Sequence, residues 1–89
     1  METQDRDPET WSIDRVKQWA INAFPFGAAL ATSLAENDVD GWILLNYITD
    51  ETLKHDIGIK SLGQRVKILE AIANLNSRGF NLREGEVDR

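Results

Sequence analysis

Between Ser61 and Leu75 the sequence leaves little choice of local structure. Ser61 and Gln64 form an S-x-x-Q capping box, whose side chains can satisfy orphan amides in the first turn of a helix. Leu62, Val66, Leu69 and Ala73 follow at helical spacing, flanked by Ile68, Ile72 and Leu75, and Gly79 offers a terminator. This pattern predicts the longest helix of the chain. Strict alternation over strand length is absent throughout, and no internal repeat or low-complexity stretch occurs. The expected fold class is all-α.

The 89 residues have room for one hydrophobic core and no second domain. Hydrophobic residues make up 42% and charged residues 28%, ordinary for a globular domain. With no cysteine, neither disulfides nor a thiolate zinc site can staple the chain, so packing must stabilise it. No apolar run of membrane-spanning length and no signal peptide are present, which predicts an intracellular chain, cytoplasmic or nuclear, with no membrane contact. The net charge of −5 argues against strong general affinity for nucleic acid or anionic lipid. Much of the acidity lies near the ends. The polar, Pro8-containing residues 1–10 and the glycine-bearing residues 79–89 read as disordered tails around a domain spanning 11–78.

Four shorter helices are predicted ahead of the long one. Ser12 can cap the first, with Asp14 at the positive end of its dipole and Ile13, Val16, Trp19 and Ala20 on its apolar side. Pro25 stops it, because the residue before a proline is pushed out of the helical region. Ala28 to Glu36 carries Leu30 and Leu34 at i, i+4 and ends at Asn37-Asp38. Trp42 to Leu45 is an apolar run that fits a buried helix or a strand, and the helical surroundings favour helix. Thr49 can cap the next, with Asp50 and Glu51 in its first turn and Leu53 and Ile57 turned inward, and Gly58 can end it in the left-handed region.

The residues carry a family resemblance. Trp11-Ser12-Ile13-Asp14-Arg15-Val16-Lys17-Gln18-Trp19 resembles the W-S-x-x-x-V-x-x-W opening of sterile alpha motif (SAM) domains. Glu36-Asn37-Asp38-Val39-Asp40-Gly41 with Leu44-Leu45 is similar to their E-N-x-I-x-G-x-x-L-L centre. Leu53-Lys54, Gly58-Ile59 and Leu62-Gly63-Gln64-Arg65-Val66-Lys67-Ile68-Leu69 resemble the L-K…G-I…L-G-x-R-x-K-I-L end. The resemblance implies a five-helix bundle with a long last helix. Two stretches, Leu45 to Thr49 and Leu53 to Gly58, are each about one residue longer than the family's pattern.

Catalysis has little to stand on: one histidine, no cysteine, and no serine placed beside a base. Asp50-Glu51 is better explained by the helix dipole than as a carboxylate pair, since adjacent helical residues do not face each other. His55 with Asp56 lacks further metal ligands, and Gly58 and Gly63 do not spell a phosphate loop. No cofactor is called for. Trp11 and Trp19 are expected in the core. For Trp42, burial and exposure are both open, the family position favouring an exposed anchor.

The remaining charges are segregated. Glu36 to Asp56 holds six acids against Lys54, whereas Ile57 to Leu69 holds Lys60, Arg65 and Lys67 and no acid. The resemblance implies protein–protein interaction, SAM with SAM, in a scaffold, signalling or regulatory protein, between a mid-loop and an end-helix surface. Asp38, Asp40, Trp42, Asp50 and Glu51 would form the first, and Lys60, Ser61, Gly63, Gln64, Arg65 and Lys67 the second. Trp42 and Arg65 would be hot spots. Two such patches make heterologous contacts that can propagate into homo-oligomers or filaments, or pair with a different SAM domain. RNA hairpin binding by the basic start of the last helix is the alternative, opposed by the small number of cations.

Overall fold

A computed structural model describes residues 7–87, with side chains placed for residues 7–76. A 3-10 turn, Pro8–Thr10, leads into α1 (Ile13–Ala23), α2 (Gly27–Glu36), α3 (Gly41–Asn46), α4 (Asp50–Thr52, continued by a π-helical turn, Leu53–Ile57) and α5 (Leu62–Val87). No strand occurs among the described residues. This is the all-α, five-helix arrangement expected.

Most boundaries sit where local chemistry places them. The Ser12 hydroxyl accepts from the Arg15 amide at 3.1 Å, and Phe24, ahead of Pro25, is extended. Thr49 and Thr52 cap α4 reciprocally, the Thr49 amide donating to Thr52 Oγ1 at 2.8 Å and the Thr52 amide to Thr49 Oγ1 at 3.2 Å. Ser61 accepts from the Gln64 amide at 3.3 Å, the forward half of the expected box. The end of α2 is a Schellman closure: Asp38 takes the left-handed conformation (φ 56°), its amide donates to Ala35 O, and the Val39 amide reaches back to Leu34 O, each at 3.0 Å. Val39 and Leu34 are both buried. Asp38 thus stands where glycine is usual.

Gly58 ends the π turn at φ 86°, its amide donating to Leu53 O five residues back. The widened turn absorbs the extra residue between Leu53 and Gly58. Leu53 and Ile57 accordingly keep their inward places, at 0% and 6% exposure.

The core is built by Trp11, Val16, Leu30, Leu34, Leu44, Leu53, Ile68 and Ile72, with Trp19 partly buried against it. Trp19, Phe24 and Phe26 form a chain of ring contacts at the α1–α2 corner, edge-on at 5.5 Å and stacked at 4.9 Å. Gly41 is obligatory for a steric reason. A Cβ there would collide with the Pro8 carbonyl oxygen and crowd Trp11, whose own carbonyl accepts from the Gly41 amide at 2.9 Å.

Three expectations need correction. Leu62 and Val66 do not face inward; the buried stripe of α5 is Arg65, Ile68, Ile72 and Leu75, while Leu62 is 62% and Val66 45% exposed. The helix does not stop at Gly79 but continues to Val87. Residues 7–10, assigned by composition to a tail, form an ordered turn with Pro8 buried and Asp7 Oδ1 accepting from the Glu9 amide at 3.2 Å. Residues 1–6 and 88–89 lie outside the described residues.

Candidate protein-interaction surfaces

The acidic surface grows from α3. Asp40 is its N-cap, accepting from the Ile43 amide at 3.0 Å, so this half-buried carboxylate has a structural task as well as a charge. One residue past the backbone-packed Gly41, Trp42 points outward with 48% of its surface exposed. Its ring lies 5.1 Å from that of Tyr47, itself 58% exposed, at a tilt of 55°. Asn46 steadies the turn between them, its amide donating to Trp42 O at 2.8 Å and to Glu9 Oε2 at 3.1 Å. Asp38 and Glu51 are exposed nearby in sequence. Trp42, Asp38 and Glu51 are therefore available to a partner.

Tyr47 was missed from sequence. Its signal was faint, since a lone tyrosine after an apolar run reads equally well as core.

The basic surface differs more from expectation. Lys60, Ser61, Gly63 and Lys67 are exposed and Gln64 is half-buried at the start of α5. Arg65 is not on this surface. Only 7% exposed, it donates from Nε to Asp50 Oδ1 at 2.7 Å and from one terminal nitrogen to the carbonyls of Ile59 at 3.0 Å and Lys60 at 3.1 Å. The planar guanidinium satisfies a carboxylate and two turn carbonyls together, a pattern lysine cannot reproduce. Arg65 and Asp50, assigned to opposite surfaces, thus clamp the start of α5 to the start of α4. This corrects Arg65 as a surface hot spot and leaves Asp50 engaged within the molecule, although half of its side chain is still exposed.

Where Arg65 withdraws, Leu62 and Val66 stand out, so the surface at the start of α5 is apolar as well as basic, with Lys60 and Lys67 exposed beside them. An added Cβ at Gly63 would meet only Ser61 Oγ at 3.9 Å, so the backbone there is open to approach.

A groove of about 180 Å³ opens beside the acidic surface, lined by Val39, Ile43, Tyr47, Ile48, Asp56 and Ile57 among others. His55 and Glu51 lie 4.0 Å apart on the exposed side of α4. Among the described residues no group of three or more His, Asp or Glu side chains is placed to hold a metal, and no helix is long and apolar enough to cross a membrane.

The bundle, the buried Trp11, the Gly41 packing and the exposed face of α3 define a small helical domain of the SAM type. Residues 8–76 match the SAM domain (sterile alpha motif) family, and the chain belongs to that family. The match begins at the Pro8 turn that composition had left outside the domain. The chain is also similar to the inactive protein tyrosine kinase pTKL of Plasmodium falciparum (isolate 3D7), with 32% identity over 73 residues. That alignment covers 82% of this chain but 5% of the kinase-like protein. No solved structure matches the chain. SAM domains are in general protein-interaction modules.

Proposed function

We propose that this SAM domain is a non-catalytic interaction module that associates head to tail with another SAM domain inside a signalling, scaffold or regulatory protein. Its acidic surface, centred on Trp42 with Tyr47 and bearing Asp38, Asp40 and Glu51, meets the start of a partner's α5, bearing Lys60, Ser61, Gly63, Gln64 and Lys67. The observation that carries this reading is the exposed Trp42–Tyr47 pair set in a segment of net charge −5 from Glu36 to Asp56. Large aromatic side chains held in water beside like charges favour a partner that is cationic and partly apolar. Charge sets orientation and association rate, and the aromatic pair supplies most of the affinity.

The withdrawal of Arg65 supports protein over RNA. With its guanidinium occupied by Asp50 and two carbonyls, two exposed lysines remain at the start of α5, too few to hold phosphates against a chain charge of −5. The relative is named as an inactive kinase and the aligned region is 5% of it, so its name carries no activity over to this chain.

Sedimentation velocity over a wide concentration range tests this, with Glu51→Lys and Lys67→Glu variants that alter exposed side chains. The wild type grows with concentration and shrinks in high salt, each variant stays small, and their mixture recovers one contact. Growth unaffected by either variant rejects the two surfaces. A wild type that is monomeric throughout moves the partner to a different SAM domain.

A further inference from the structure

Leu62 and the groove beside Tyr47 are two features that the domain's own packing leaves unused. We propose that the groove receives Leu62 from a second copy of this chain, with Val66 covering its edge. This rests on the self-associating form of the function proposed above, and names the contact at its centre.

The groove has the size and lining for one branched side chain. About 180 Å³ is comparable to the roughly 150 Å³ cavity that admits benzene in a protein core. Its apolar walls are Val39, Ile43, Ile48, Ile57 and the Tyr47 ring, and the polar Asn37, Thr52 and Asp56 complete the lining. Much of that wall comes from the two stretches in which this chain runs one residue longer than the family's pattern. The first contributes Tyr47 and Ile48, and the second, widened into the π turn, contributes Asp56 and Ile57. These residues set the groove's shape, and so the side chain that can fill it.

Leu62 is suited to be that partner's anchor. It is the first residue of α5, and the helical stripe that faces the core passes through Arg65 instead, leaving Leu62 the most exposed large apolar side chain among those described, at 62%. Gly63 beside it presents no side chain to obstruct a close approach. The flanking charges match as well: Lys60 and Lys67 bracket Leu62 in sequence, while the groove is lined by Asp56 and lies in the acid-rich segment. An apolar anchor with basic neighbours and an apolar groove with acidic neighbours on one chain are complementary in both terms, which favours a second copy over an unrelated partner.

The chain has no cysteine, so single thiols can report the contact directly. Asp56→Cys places one at the groove and Gly63→Cys one beside the anchor. Mixed in a thiol–disulfide buffer at a concentration where the wild type associates, the two variants should form the mixed disulfide in several-fold excess over the statistical yield. In parallel, Leu62→Asp should melt like the wild type and associate about tenfold more weakly or worse, whereas Leu62→Met should associate normally. Statistical disulfides together with unimpaired association of Leu62→Asp overturn the groove contact while leaving head-to-tail SAM association standing. A wild type monomeric at every concentration overturns the groove contact and self-association together, and leaves a different SAM domain as the partner.

Discussion

The α1–α2 hairpin and the α3–α4 segment are each a pair of short helices joined by a turn, yet they use their residues differently. In the hairpin, Gly27 packs so tightly on α1 that a Cβ would collide with the Ala20 carbonyl oxygen, and the rings of Trp19, Phe24 and Phe26 pack against one another in a row. The α3–α4 segment packs tightly on backbone at its first residue, Gly41, and from there on is held by caps: Asp40 on α3, Thr49 and Thr52 on α4, and Gly58 closing the π turn. Its aromatics, Trp42 and Tyr47, turn outward and its walls leave a groove. Large side chains in the first pair are spent on cohesion. In the second, capping residues hold the backbone and leave large side chains exposed.

Mutations can break or sharpen this contrast. The largest effect is expected at Gly27→Ala, where backbone must move apart; a loss of about 3 kcal/mol or more in urea unfolding would match overpacking of a rigid contact. Next comes Arg65→Met, which leaves Asp50 and the Ile59 and Lys60 carbonyls without their donor. About 2–3 kcal/mol should be lost, and Arg65→Lys should recover only part of it. Asp50→Asn should cost less, about 1 kcal/mol or below, since that carboxylate is half exposed.

Trp42→Ala should move stability by less than about 1 kcal/mol, because an exposed side chain leaves no internal cavity, while weakening association more than about tenfold. A large loss of stability there would erase the contrast. The smallest effect is a gain. Asp38→Gly relieves a non-glycine residue at φ 56° and should add up to about 1 kcal/mol to the melting free energy.

The caps were legible because their signals are local: Ser12, Thr49 and Ser61 lie within one turn of the amides they bind, Pro25 acts on the residue just before it, and Gly58 on its own backbone. For Trp42 the residues left burial and exposure open, and the resemblance favoured the exposure that the structure shows. Arg65 was not legible. In L-G-Q-R-V-K an arginine reads as solvated, and nothing nearby in sequence announces that Asp50, fifteen residues earlier, waits for it. Leu62 and Val66 were misplaced for a related reason. Two adjacent stripes on α5 both have helical spacing, and the one that turns inward carries Ile68, Ile72 and Leu75 together with the clamped Arg65. The Pro8 turn was hidden by polar composition, since its role lies in a carbonyl that Gly41 packs against and not in any apolar side chain of length.

The π turn has a consequence for how such a domain can change over time. An inserted residue normally has to be looped out or else rotates everything after it by a hundred degrees, unsettling the interior. Here the additional residue is taken up by widening a single helical turn, and Leu53 and Ile57 remain seated. The outer wall of that turn, Lys54, His55 and Asp56, is thereby uncoupled from its foundation, and can be re-cut by substitution at little expense to folding.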